Sequence, residues 1–269
     1  MSGGPLVEAE GLAKWYRTRL RRDWLLFRPL RRRQPTPPQA GMWALEDVSL
    51  RLDRGRSLGI VGDNGAGKTT LLRIIAGISR PTRGSVTVRG EIASRFGYGL
   101  AFNPYLSGRE NVFLEGTLLG MTNGQVRAQL DSIINFAGLD GAIDRPLWTY
   151  SSGMIGRLGF AIATTVQSEL LLLDEAFSAG DGGFRLRGEE LLTEARRNGR
   201  SLVVVSHGMP LVRKLCDEGL WLDHGTVQAS GLIDDVVDAY ETSAGLPSSR
   251  PDPAAPVAAA GAVSEADAG

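Results

Sequence analysis

The chain has 269 residues, 42% of them hydrophobic, and its 30 Lys plus Arg balance 30 Asp plus Glu. This is enough for one large domain or two small ones with a sizeable core, and the charge balance gives no global pull toward nucleic acid. A single cysteine, Cys216, excludes an internal disulfide framework and fits a reducing compartment.

At the N-terminus, Met1 to Glu8 lack the basic-then-apolar order of a secretion signal. No apolar run anywhere approaches the ~18 residues of a membrane span, so a membrane role would need a partner. Leu6 to Leu12 reads as a first strand, followed by Lys14, Trp15 and Tyr16. An aromatic there could stack on a nucleobase; position by itself favours the plainer reading, a strand-end aromatic packed in the core. Between Arg17 and Gln39 arginines crowd around one acid, Asp23, with Trp24 to Phe27 among them and Pro35, Pro37 and Pro38 at the end. Charge density and prolines argue for an insertion outside the core. It could lie against anionic headgroups or a membrane partner, or be a solvated loop; an RNA-binding arm fits the rest of the chain less well.

Ala44 to Asp53 reads as another strand, and Arg54-Gly55 turns into the apolar strand Ser57 to Val61. Gly62-Asp63-Asn64-Gly65-Ala66-Gly67-Lys68-Thr69 follows, matching Gly-x4-Gly-Lys-[Ser/Thr], and Thr70 to Ala76 continues as a helix that Gly77 can stop. Glycines let such a loop turn its N–H groups inward, toward the phosphates of a nucleotide at a helix N-terminus. Gly62, Asn64, Gly65, Ala66, Gly67, Lys68, Thr69 and Thr70 are therefore the candidate nucleotide cradle. Lys68 would reach the β/γ-phosphates and the Thr69 hydroxyl would bind Mg²⁺. A glycine-rich turn that binds nothing is the alternative, and the order strand, loop, helix argues against it.

Gly84 to Arg89 alternates as a strand, and Glu110 to Gly120 and Gln125 to Ala137 carry helical periodicity. They suggest a helical subdomain inserted over about residues 104–168. Tyr150-Ser151-Ser152-Gly153-Met154 opens an apolar helix, a second potential phosphate site, although spacing favours a plain helix cap at Ser151 or Ser152. Leu170 to Leu173 is a buried strand ending in Asp174 and Glu175. An acid at a strand's carboxyl end, beside a phosphate loop on the neighbouring strand, is where Mg²⁺ can be held; the next acid can deprotonate an attacking water. Ser201 to Val205 is another apolar strand and closes in Ser206-His207, whose imidazole is either structural or a hydrogen-bond partner of a γ-phosphate. Leu220 to Gln228 reads as a hairpin and Leu232 to Tyr240 as a last short helix. From Ser243 onward an Ala-, Pro-, Gly- and Ser-rich tail reads as disordered.

Together these motifs resemble the ATP-binding cassette family over about residues 5–242. The set comprises the phosphate loop Gly62–Thr69, a signature at Tyr150–Met154, the Asp174-Glu175 pair, a D-loop at Ser178–Asp181 and a switch histidine at His207. The resemblance implies an α/β fold: a P-loop NTPase core with a mixed sheet, an N-terminal antiparallel β subdomain and an inserted α-helical signature subdomain. It implies ATP and Mg²⁺ as cofactors, Tyr16 stacked on adenine, Lys68, Glu175 and His207 as catalytic groups, and Thr69 and Asp174 as the metal-binding pair. Ser151, Ser152, Gly153, Met154 and Asp181 would contact a nucleotide across a head-to-tail dimer with a second copy.

Tyr150–Met154 in place of Leu-Ser-Gly-Gly-Gln, with Leu106–Asn111 and Gly180-Asp181, is similar to one branch: the ATPase subunits of exporters for lipid-linked polysaccharides such as O-antigens, teichoic acids and galactan-like chains. That branch implies a polytopic membrane permease partner, a lipid-linked polysaccharide cargo reached through it, no nucleic acid, and a peripheral position on the cytoplasmic face of the membrane. Two departures stand out. Most cassettes carry a Mg²⁺-ligating glutamine after the Gly84–Arg89 strand; Glu91 to Asn111 contains none, and Asn103 is a weak substitute. The residues after Glu241 are also too few for an appended carbohydrate-binding domain. Repair-type cassettes would need a long coiled coil and translation-type ones a second cassette. An uptake ATPase and a non-catalytic regulatory cassette remain the alternatives.

Overall fold

The computed structural model describes residues 4–17, 41–96, 102–174 and 182–250. Strands β1 (Val7–Arg17) and β2 (Gly41–Leu52) pair antiparallel from Val7 opposite Leu52 to Arg17 opposite Gly41. The first strand thus runs on through Trp15 and Tyr16, past its expected end at Leu12. Trp15 packs edge-on against Trp43 at 5.1 Å, which gives the extension an aromatic cross-strand pair. After β3 (Ser57–Val61) and α1 (Lys68–Ile75), β4 (Arg83–Val88) returns to the other edge of β1 and completes a three-stranded sheet in the order β2-β1-β4.

The second sheet holds β5 (Ile92–Phe96), β6 (Leu170–Asp174), β7 (Ser201–Val205), β8 (Glu218–Asp223) and β9 (Thr226–Leu232) together with β3. Its order is β5-β6-β7-β3-β8-β9, parallel up to β8, with β9 folding back antiparallel. One expectation is corrected here. The strand carrying Asp174 is not the neighbour of the phosphate-loop strand: β7 lies between β6 and β3. Every residue of β3 and β7 is buried, as parallel strands covered on both faces must be.

On one face α1 buries Leu71, Leu72, Ile74 and Ile75 between the two sheets. On the other face pack α5 (Gly182–Arg197), α6 (Met209–Leu215) and α7 (Ile233–Ala244), with Phe160 and Phe184 meeting at 5.6 Å. Fully burying one such ring is worth about 1.5–3 kcal/mol. A third core joins α2 (Gly108–Leu118), α3 (Asn123–Ala137) and α4 (Ser152–Thr165) through Val112, Val126, Ile133, Leu158 and Ile162. Capping boxes, Ser107 with Glu110 and Thr122 with Gln125, fix where α2 and α3 begin.

The last helix extends past the expected end at Tyr240 to Ala244. The chain then turns at Gly245 (φ 64°) and comes back to place the Ser249 N–H on the Glu241 carboxylate. The tail expected from Ser243 is therefore held against α7 through Arg250; residues 251–269 lie outside the described residues. The Arg17–Gln39 segment beyond Arg17 also lies outside them. Among the described residues no helix is long and apolar enough to cross a membrane.

Candidate nucleotide site

The site grows from the end of β3. At Gly62 the backbone takes φ 140°, and a Cβ there would stand 2.1 Å from the Leu222 carbonyl oxygen. At Gly67 φ is 105°, and a Cβ would stand 2.4 Å from the Ala44 carbonyl oxygen. Both positions therefore require glycine. Ala66 N–H closes the turn onto the Asp63 carbonyl at 3.1 Å. No side chain caps α1, so the amides of its first turn face the loop's concavity with the positive end of the helix dipole behind them.

Contacts of Lys68, Thr69 and His207 organise the loop. Lys68 Nζ donates to the Gly62 carbonyl at 2.5 Å and to the Asp63 carbonyl at 2.9 Å. Thr69 Oγ1 donates to Asp174 Oδ2 at 2.9 Å. His207 Nε2 lies 3.1 Å from Asn64 Oδ1. Beneath the loop, the β8–β9 turn splices it to β2: Gly225 N–H donates to the Ala66 carbonyl at 3.0 Å, and Glu46 N–H donates to the Gly225 carbonyl at 2.8 Å.

Lys68, Thr69, Asp174, Asn64 and His207 share one cleft of about 320 Å³, lined also by Tyr16, Met42, Ala44, Gly65, Ala66, Gly67, Thr70 and Val205. It lies at the carboxyl ends of β3, β6 and β7, where open parallel sheets hold ligands. Tyr16 lines the cleft, with Lys14 Nζ 5.2 Å from its ring centroid. Gly62 forms the loop's back rather than the cleft's lining. Met42 and Ala44 escaped the sequence reading. The signal for them was the β1–β2 pairing, which puts Met42 directly opposite Tyr16.

Ser151, Ser152, Gly153 and Met154 do not line this cleft. They form the N-terminus of α4, where Ser151 Oγ accepts the Met154 N–H at 3.2 Å and both serines are exposed. Tyr150 turns inward instead: its hydroxyl donates to the Ala142 carbonyl at 2.7 Å, and burial pushes its pKa up. Asn103 Oδ1 accepts the Tyr105 N–H at 3.0 Å, a local turn contact outside the cleft. Glu175 and Asp181 lie outside the described residues.

The described donors fit a hard divalent cation in part. Thr69 Oγ1 and Asp174 Oδ2 are two oxygens at contact distance, and a Mg²⁺ ion would complete its shell with phosphate and water oxygens.

The family model for ABC transporters matches residues 45–178. Across 198 residues the chain is 36% identical to the O-antigen export system ATP-binding protein RfbB of Klebsiella pneumoniae, covering 74% of this chain and 80% of that protein. The chain belongs to the ABC transporter family. The cassette is also 38% identical over 221 residues to an RfbB protein of Myxococcus xanthus (82% of this chain, 51% of that protein). It is 37% identical over 199 residues to the teichoic acids export ATP-binding protein TagH of Lactococcus lactis (74% of this chain, 42% of that protein). The cassette thus spans only about half the length of these last two relatives. A solved dimeric ATP-binding cassette in a post-hydrolysis state, bound to ADP and Pi, superposes with a TM-score of 0.69 at 22% identity, over 84% of this chain and 98% of that one. That likeness bears out the α/β P-loop fold.

Proposed function

We propose that this cassette is the ATPase subunit of an exporter that moves a lipid-linked polysaccharide across the cytoplasmic membrane. The observation that carries the ATPase reading is the single cleft that gathers Lys68, the Thr69–Asp174 pair and His207 around the uncapped N-terminus of α1. The export reading is supported by the names of the relatives, which act on O-antigen and teichoic acids.

On this reading Tyr16 stacks on adenine, and the loop amides with Lys68 neutralise the phosphates. Two loop carbonyls accept the Lys68 ammonium, which directs it into the loop. Thr69 and Asp174 would hold Mg²⁺, whose charge would offset that of the phosphates. Glu175 takes a proton from the attacking water, and His207 leaves Asn64 to hold the γ-phosphate. The chemistry is positioning and electrostatics.

The α4 N-terminus is exposed and stands outside the cleft. This supports a second copy, placed head to tail, whose Ser151–Met154 completes each site. The permease would span the membrane in contact with two such copies and convert their opening and closing into movement. The test is phosphate release by the purified cassette against its own concentration, paired with export in the host. ATPase activity should rise with the square of concentration at dilution, and Lys68→Ala should abolish both hydrolysis and appearance of the polymer outside the cell. Hydrolysis by the parent, with surface polymer undiminished in the Lys68→Ala strain, would favour another transport cargo. No hydrolysis by the parent would favour a regulatory cassette.

A further inference from the structure

Asp63, the second residue of the phosphate loop, is held from outside the loop. Tyr240 on α7 donates its hydroxyl to Asp63 Oδ1 at 2.9 Å, across 177 positions of sequence. The tyrosine is placed with care for a surface helix. It is 6% exposed and its ring meets Trp221 edge-on at 6.0 Å. Trp221 in turn pairs in register with Val61, the last strand residue before the loop. Burial, helped by the Asp63 carboxylate, pushes the phenol up to about 12, so the hydroxyl remains a donor across the neutral range.

The same Asp63 uses its backbone carbonyl to accept Lys68 Nζ at 2.9 Å and Ala66 N–H at 3.1 Å. One residue thus receives Tyr240 on its side chain and seats the lysine on its main chain. α7 is itself anchored next door. Glu241, 3% exposed, accepts Arg213 of α6 at 3.1 Å, and the Arg213 guanidinium also binds Asp234 at 2.8 Å and Asp238 at 2.6 Å. α6 begins two residues after His207. The helix that holds Asp63 is therefore braced against the element that follows the switch histidine.

We propose that Tyr240 is a positioning residue for the phosphate loop: by fixing Asp63 it fixes one of the two carbonyls that hold Lys68. The proposal rests on the reading of Gly62–Thr69 as an ATP cradle and adds to it a support that no motif contains. Nothing but a hydroxyl need be removed to test it.

The experiment measures ATP affinity by calorimetry, and KM and kcat by phosphate release, for the full chain and for Tyr240→Phe, Asp63→Ala, the double variant and Asp63→Asn. A hydrogen bond to an exposed carboxyl acceptor predicts about a three- to tenfold rise in Kd and KM for Tyr240→Phe. At saturating ATP, kcat should stay within about twofold, because the contact acts in binding rather than in the transition state. Asp63→Ala should weaken binding by a similar factor, and the double variant should be no worse than the poorer single one. Asp63→Asn, whose amide oxygen still accepts the phenol, should recover most of the loss. The proposal is overturned if Tyr240→Phe binds ATP as the parent does and only its melting temperature falls, or if the two losses add. A parent chain that binds no ATP would sink the cradle reading itself, an outcome that the parent control separates from the other two.

Discussion

The hydroxyl of Thr69 donates to the Asp174 carboxylate across 2.9 Å and joins the first turn of α1 to the end of β6, a strand that is not adjacent to β3. β7 lies between, so the pair is made over the top of a strand rather than along a shared edge. A divalent cation held there would take both oxygens as ligands in place of their hydrogen bond. Asp174→Asn keeps the shape and removes the charge. It should lower Mg²⁺-dependent phosphate release by about 100-fold or more and raise the Mg²⁺ needed for half-maximal activity. Activity within about threefold of the parent would remove Asp174 from the metal pair.

Glu175 follows immediately in sequence and lies outside the described residues. Glu175→Gln should leave ATP binding intact, abolish turnover and trap an ATP-bound dimer, seen as a doubled mass in size exclusion with ATP and Mg²⁺. Near-parent turnover would show that another group acts as the base.

The Arg213 cluster gives a stability prediction. Its side chain is 5% exposed and that of Glu241 4% exposed, so removing the arginine leaves a buried carboxylate without its cation. Arg213→Met should cost about 3 kcal/mol, read as a lower urea midpoint, and pairing it with Glu241→Gln should recover part of the loss. An unchanged midpoint in the single variant would contradict the assignment.

The same cluster sets a pH dependence. Hydrogen bonds from Arg250 and then Arg213 hold the Asp238 carboxyl below the ordinary aspartate range. A depressed folded value means stability that is fully present above the unfolded value, about 3.9, and is lost as pH falls through the folded one. Between about pH 5 and about pH 3 the melting temperature of the parent should therefore fall more steeply than that of Asp238→Asn. Parallel curves would show that the ion pairs carry no linkage.

The arginine-rich segment after Arg17 offers a test in cells. Deleting Arg19 to Pro37 should spare hydrolysis by the isolated cassette and impair export if the segment faces headgroups or the permease. Unimpaired export would leave it a solvated loop.

Much of the fold was legible because its signals are local. All-apolar strands, a glycine pattern and capping residues each act within a few positions, and they marked β3, β6, β7, α1 and the start of α4. What was missed depends on contacts between distant residues. β1 continues to Tyr16 because of Trp43, a partner beyond the insertion. β5, which carries a serine and an arginine, is a strand because Leu170 to Asp174 lie beside it. α5 hides its pattern under a highly charged surface and buries only Phe184, Gly188 and Leu192. At the site, spacing could nominate Lys68, Thr69 and Asp174. It could not tell that Tyr240 reaches Asp63, since nothing in an ordinary tyrosine announces a partner 177 residues away.

The splice made by Gly225 has a consequence for selectivity. Its N–H reaches Ala66 in the phosphate loop while its carbonyl takes the Glu46 N–H of β2, the strand that carries Met42 opposite Tyr16. The phosphate loop and the strand that faces Tyr16 are thus both hydrogen-bonded to one turn. On the proposed reading the cleft is a gauge of fixed length. It measures the span from a base to its terminal phosphate, so a nucleotide with the right chemistry but a shorter or longer reach would fill one end and miss the other.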